Sequence, residues 1–568
     1  MRYHALVTDY DLTIAEHSVV SDQTIKALER VRASGRLMIL VTGRQLEDLL
    51  RVFPRIDLFD RVIAENGALL YRPASREQRL LAEAPPAEFI RAVRAAGISP
   101  LSEGKVIVAT LRPNEIEIIG IIRDLGLELQ VIFNHTAVMV LPSGTNKASG
   151  LQAALLELGL SPHNCVGVGD AENDHAFLAT TECSIAVGNA LAALKKRVDF
   201  VTRGESGEGV REFIDHLLDS DLRFLDSVVR HQIALGTRRD GGEVSIGCYG
   251  KCVLIAGTSG SGKSTQANTF LERLCEQDYQ FCILDPEGDY LNVEGAVTLG
   301  DHERPPAVPE VMELLSKPSE NVVVNLLGIP LKERPVFFES LLHRIHELRG
   351  RTGRPHWLII DETHHVLPSS WKIPGPLVPE GGLGVIMITV EPDKLPPSAL
   401  QLPDLVVAVG DNPDRTLEMF SDTVGQPRPA PSNLQLNTGE ALGWFWKTGE
   451  SPFWYRGFPP KGERQRHRRK YAEGELAADL CFYFRGPDNK LNLRVQNLSV
   501  FLQIAEGLDD GTWLFHLKSG DISAWFRNVI KDPELAAEVQ KFETRTADAR
   551  ESRTHIRSEI EKRYMVAA

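Results

Sequence analysis

Short apolar runs alternate with amphipathic stretches along most of the 568 residues, and polar residues collect where the runs end. Residues 4–8 form one run and stop at Asp9. Residues 37–41 form another and deliver Thr42-Gly43-Arg44. Residues 165–168 form a third and deliver Gly169-Asp170, then Glu172, Asn173 and Asp174. A short continuous apolar run bounded by turn formers reads as a strand buried on both faces. Strands alternating with helices predict a doubly wound α/β domain, whose functional groups gather at the carboxyl ends of the strands.

Residues 72–141 interrupt this rhythm. Strand-like stretches at 105–111 and 131–141 flank a helical stretch at 115–125, the pattern of a small α+β lid. The amphipathic stretch 209–218 closes the first domain. A second α/β series begins at 251–256 and runs into Gly257-Thr258-Ser259-Gly260-Ser261-Gly262-Lys263-Ser264, with helix-like 265–274 behind it. Further apolar runs at 281–284, 356–360 and 384–388 end in Asp285, in Asp361-Glu362 and in Thr389. Beyond residue 460 the chain is mostly helix-like, with a strand-like piece at 480–484. The spacing of Trp513, Phe515, His516, Trp525 and Phe526 there predicts a packed core. The expected organisation is an α/β domain at 1–222 with its lid at about 72–141, an α/β nucleotide-binding domain at 223–460, and a small, mainly helical domain at 461–568.

Composition narrows the partners. With 43% hydrophobic and 25% charged residues the chain is ordinary globular material, and its formal charge of -14 offers no global attraction to nucleic acid or an anionic membrane. A basic run at 461–470, with Arg464, Arg466, Arg468 and Arg469, is the local exception and reads mainly as a solvated linker. Seven scattered cysteines without a C-x-x-C pair fit reduced thiols, and Cys248 and Cys252 read as small buried residues. No apolar run approaches the ~20 residues of a membrane helix, so a cytoplasmic protein is expected.

Two chemistries follow from the motifs. Asp9 and Asp11 sit two apart on an extended chain and so share a face. Asp9 is suited to attack phosphorus in line, and Asp11 to protonate the leaving group and then activate water. Asp170 and Asp174, with Asp9 and the backbone carbonyl of Asp11, supply hard oxygen ligands for Mg²⁺, while Thr42 and Lys147 are placed to bind phosphoryl oxygens. In the second kit, the backbone around Gly257, Gly260 and Gly262 can cradle the phosphates of ATP beside Lys263, with Ser264 and Thr265 opening the helix. Ser264 and Asp361 are candidates for Mg²⁺, and Glu362 for polarising the attacking water.

The D-x-D-x-T, T-G-R, lone-Lys and G-D-x-x-N-D series, in that order over about residues 1–218, resembles the haloacid dehalogenase superfamily of phosphohydrolases. Asn66-Gly67 and the inserted lid resemble its C2-capped type, as in Cof-like enzymes and sucrose-phosphatase; Leu12 stands where that motif usually has Gly. Residues 225–457 resemble the HerA/FtsK branch of P-loop ATPases. The likeness rests on the G-T-S-G-S-G-K-S-T loop, D-P-E-G-D-Y at 285–290, I-I-D-E-T-H at 359–364 and Thr389. The resemblance implies a homo-hexamer, in which Arg415 or Arg428 could complete a neighbour's site.

The favoured reading is a bifunctional hydrolase: a Mg²⁺-dependent phosphatase for a small, sugar-phosphate-like ester, coupled to an ATP-hydrolysing assembly or regulatory module. A nucleic-acid-processing machine, with a HerA-like motor and an end- or nucleotide-directed phosphatase, is the alternative. A polynucleotide kinase/phosphatase and an ATP-switched scaffold stand behind these. The lid argues against polymeric substrates, and Glu362 against a kinase.

Overall fold

The structure is a computed structural model that describes all residues except 226–227, 259, 291–292, 294, 371–383, 460–470, 472–475, 477–480, 531, 544–547 and 566–568. The basic run at 461–470 therefore lies outside the described residues. The chain forms two compact units, Met1–Phe458 and Pro459–Ala568.

The first unit holds two large sheets. The N-terminal sheet has eight strands in the order Phe200–Val201, Cys183–Ala186, Cys165–Gly169, Ala5–Asp9, Leu37–Val41, Arg61–Ala64, Leu69–Arg72, Glu77–Leu80. The first six are parallel and the last two antiparallel. Buried on both faces, the central strands are almost wholly apolar, which is why their sequence shows continuous runs rather than alternation. Ala5–Asp9 lies between Cys165–Gly169 and Leu37–Val41, so the three predicted strand ends are immediate neighbours.

The insertion departs from its expected bounds. Its first strand, Glu77–Leu80, pairs with Leu69–Arg72 and lengthens the core sheet, so the lid proper begins later than residue 72. The lid is a four-stranded antiparallel sheet carrying helices Ala87–Ala95 and Glu115–Asp124, with its own small core around Phe89, Val93, Ile118 and Val140. The expected single stretch at 131–141 is a hairpin, Leu129–Asn134 against Ala137–Pro142. His135 turns it at a φ of 51°, the left-handed conformation that a tight hairpin demands.

The second sheet has eleven strands, and its parallel centre runs Leu405–Ala408, Cys252–Ala256, Gly384–Thr389, Trp357–Ile360, Phe281–Asp285. Cys252, Leu254 and Ala256 enter one core while Val253 and Ile255 enter another, so the two-residue period of a strand feeds helix layers on both faces. Gly384–Thr389 separates the glycine-loop strand from the one ending at Asp361, which sets Thr389 between loop and acids.

In the second unit Trp513, Phe526 and Trp525 are buried with Phe482, Phe484 and Phe501. The expected aromatic core forms, except that Phe515 stays on its surface at 36% exposure. Among the described residues, no helix is long and apolar enough to cross a membrane.

Candidate active sites

The first site is built where three strands end. Asp9 finishes its strand, Thr42 follows Leu37–Val41, and Asp170 follows Cys165–Gly169. A one-turn helix, Glu172–Asp174, brings Asp174 back, and its Oδ2 accepts the backbone N–H groups of Asp170 (2.9 Å) and Ala171 (3.0 Å). Lys147 opens the helix Lys147–Leu158 under an Asn146 capping box, and this fixes its direction. Its Nζ donates to Asp9 Oδ1 at 2.5 Å and to Asp174 Oδ1 at 2.6 Å. Asp9, Asp170 and Asp174 offer oxygens within 4.8 Å of one another, all buried.

Charge makes this arrangement informative. Three carboxylates share one ammonium, so the pocket is anionic in a place water does not reach. Burial, then the Asp174 carboxylate, push Asp9 well above the usual carboxylate range, and the same two causes lift Asp170 to about 6. Burial pulls Lys147 down, yet Asp174 and Asp9 together hold it above its ordinary value. A divalent cation with a preference for oxygen would discharge the surplus, so the donor set fits Mg²⁺. Thr13 Oγ1 donates to Asp170 Oδ1 at 2.9 Å and orients that carboxylate.

Asp11 stands apart from the three. Arg44 grips it with Nε at 2.8 Å and Nη2 at 2.6 Å, and reaches Asp48 with Nη1 at 2.6 Å. The Thr42 hydroxyl accepts the Arg44 N–H at 3.1 Å, leaving its own proton to give.

Several contacts at this site were not anticipated from sequence. Glu65, fully buried beside Asn66, accepts N–H groups of Lys105, Val106 and Ile107 at 2.9, 2.7 and 2.9 Å, and so anchors the turn between the lid strands Ser102–Glu103 and Val108–Leu111. Asn173 Nδ2 donates to Asn66 Oδ1 at 3.0 Å, while Asn66 Nδ2 and Asn173 Oδ1 are buried without hydrogen-bond partners among the described residues, near Thr42. His135 turns the lid hairpin, which also carries its Nε2 to 3.4 Å from Asp170 Oδ2. The polar triplet Asn134-His135-Thr136 inside an apolar stretch was the available signal for that turn.

The second site surrounds the glycine loop. Gly262 caps the helix Lys263–Glu276 at φ 98°, and a Cβ on Gly257 would meet the Val409 carbonyl at 2.4 Å, so both positions require glycine. Lys263 is buried with Nζ 3.3 Å from the Thr258 carbonyl; Ser264 is exposed in the first turn, with Thr265 half-buried behind it. Asp361 is buried and raised well above its usual range, chiefly by burial. Glu362 is held at φ 35°, ψ 55°, a strained conformation for a side-chain-bearing residue. Its Oε2 is buried without a hydrogen bond among the described residues; burial raises it while Lys263 pulls it down. Asp285 accepts the N–H groups of Gly288, Asp289 and Tyr290 at 2.8, 3.0 and 2.8 Å, which folds the acidic segment 285–290 beside Asp361. His364 lies 3.4 Å from Thr389 Oγ1 and 3.5 Å from Glu362 Oε2.

Known proteins match the two halves separately. The family described as haloacid dehalogenase-like hydrolase matches residues 6–95 and 104–214, and the helicase HerA central domain matches 245–345. A phosphoglycolate phosphatase of Methanothermobacter thermautotrophicus is 30% identical over 221 residues, 37% of this chain and 96% of its own length. One from Pyrobaculum neutrophilum is 32% identical over 222 residues, 38% of this chain and 95% of its own. A solved haloacid dehalogenase-like hydrolase from Bacteroides thetaiotaomicron aligns at 19% identity and a TM-score of 0.34, over 38% of this chain and 99% of that one. Through residues 6–214 the chain thus belongs to the haloacid dehalogenase-like hydrolases, fused to a HerA central domain at 245–345.

Proposed function

We propose that the N-terminal half is a Mg²⁺-dependent phosphatase for compact phosphate esters and that the second half hydrolyses ATP. The observation that carries the first part is Lys147 bridging Asp9 and Asp174 beside Asp170, all buried at adjoining strand ends. Asp9 attacks phosphorus and becomes an aspartyl-phosphate; Asp11, oriented by Arg44, gives its proton to the leaving oxygen and then takes one from water. Thr42 and Lys147 hold the phosphoryl oxygens. Asp9, Asp170 and Asp174 would hold Mg²⁺, which supplies positive charge against the phosphoryl oxygens. The lid suits a small leaving group, and phosphoglycolate, named for the curated relatives, and sugar phosphates are the first esters to try. The domain limits near 222 and 460 belong to the same proposal.

In the second half Lys263, Ser264 and the loop amides hold the nucleotide, Asp361 serves the Mg²⁺ that accompanies it, and Glu362 orients the attacking water. A homo-hexamer and a regulatory link between the sites complete the reading. Phosphate release from a panel of small esters, with and without Mg²⁺, tests the first half; release that survives EDTA, or none from any ester, overturns it. ATP turnover with and without DNA tests the second, and strong stimulation by DNA would shift the reading to a nucleic-acid motor.

A further inference from the structure

Between the two halves lies a buried cluster that neither activity uses. Cys183 begins the strand next to the edge of the phosphatase sheet, and Asp199 immediately precedes the edge strand itself, Phe200–Val201. His231 ends the turn that leads into Gln232–Arg238, a strand of the other sheet. The Cys183 sulfur, an Asp199 oxygen and a His231 ring nitrogen lie within 4.8 Å of one another. The three side chains are almost wholly buried: Cys183 is 0% exposed, and the Asp199 and His231 side chains are 2% and 1%.

The environment is arranged as metal ligands require. His231 Nδ1 faces Glu182 Oε1 at 3.1 Å, so the ring gives its Nδ1 proton to a carboxylate and turns Nε2 toward Cys183 and Asp199. A histidine ligand typically shows this pairing, which sets its tautomer and orientation. Asp199 Oδ2 is held by the Ser184 N–H and hydroxyl at 2.8 and 2.9 Å. Among the described residues, His231 Nε2 and the Tyr3 hydroxyl have no partner at full hydrogen-bond distance, although both lie beside Cys183. Nε2 stands 3.7 Å from Asp199 Oδ2, an ion-pair separation longer than a hydrogen bond.

We propose that Cys183, Asp199 and His231 form a structural site for a zinc-class divalent cation that ties the entry strand of the ATPase to the edge of the phosphatase sheet. Thiolate, imidazole and carboxylate together select a borderline metal over Mg²⁺, and the Tyr3 hydroxyl offers a fourth donor. In a tetrahedral zinc site the ligands stand about 3.5 Å apart, so donor atoms that lie within 4.8 Å of one another must draw in by up to about 1 Å. Binding displaces the thiol proton of Cys183 and any proton on His231 Nε2, both released to solvent. The inference is independent of the phosphatase reading.

The test uses the full, untagged chain. Metal analysis is expected to find one zinc per chain after purification in zinc-containing buffer. Replacement by Co²⁺ should give a thiolate-to-cobalt charge-transfer band. Cys183→Ser should lose that band and retain only trace zinc, while Cys248→Ser, a change at another buried junction cysteine, keeps both. Should Cys183→Ser fail to fold, Asp199→Asn serves as the second variant, with zinc occupancy expected to fall at least tenfold. Wild-type protein with only trace zinc and no cobalt band would overturn the proposal, as would zinc and band unchanged in Cys183→Ser.

Discussion

His356 Nε2 lies 3.2 Å from Asn164 Oδ1, and these two residues stand at the roots of the strands that end at Asp361 and Asp170. The two halves therefore meet at the amino ends of their sheets, and their active sites open at the opposite ends. His356 Nδ1 accepts the Gln280 N–H at 3.0 Å, so Nε2 must be the donor to Asn164. Burial, above all, keeps that ring uncharged by holding its pKa well below the ordinary value. Asn164→Ala leaves a buried donor unpaired and should cost about 1–3 kcal/mol. Thermal unfolding should shift for the whole first unit with phosphate release intact at permissive temperature. An unchanged melting curve would show that the junction contributes nothing.

Asp9→Asn should abolish phosphate release from any ester while ATP turnover stays within a few-fold. Parallel loss of both activities in a folded variant would mean that the sites are not separate.

Glu362→Gln should bind nucleotide and turn it over about 10²- to 10⁴-fold more slowly, the range for removing a positioned general base. The strained backbone at Glu362 implies that the surrounding fold holds this side chain in place for use. Undiminished turnover would assign the role to another group.

Glu65→Ala removes the acceptor for three N–H groups in a turn of the lid. A looser lid should raise KM and lower kcat for small esters by about tenfold, leaving ATP hydrolysis untouched. Identical KM and kcat would show that the lid is positioned by other contacts.

Acid should weaken the first unit through His4. Burial first, then the N-terminal amino group and Arg349, push its pKa down from 6.5 to about 4. The unfolded chain therefore binds a proton that the folded chain refuses, and stability is lost as pH falls from 6.5 toward 4. Between about pH 7 and about pH 5 this one group accounts for about 2 kcal/mol. His4→Gln should flatten that part of the profile in denaturant titrations; an equal slope would place the effect elsewhere.

Local rules made much of this molecule legible from its sequence. Continuous apolar runs announce buried parallel strands, and motif spacing places Asp9, Thr42, Lys147 and Asp170 at strand and helix ends, because each is a matter of a few consecutive residues. The contacts of Glu65, of His135 and between Asn66 and Asn173 escaped because the partners lie 40, 35 and 107 positions away. The limits of the lid were blurred for a similar reason: whether Glu77–Leu80 joins the core sheet or the lid depends on which edge it meets.

By itself the sequence determined the two α/β series, the order of their motifs and the residue types available for each chemistry. Tertiary structure alone decided that Asp9 and Asp174 share one lysine beside Asp170, that Arg44 takes hold of Asp11, and that the two sheets join root to root around Glu182, His163 and His231. The physical reason is range. Periodicity and turn chemistry act over a few residues, whereas burial and charge compensation depend on which distant segments exclude water from one another.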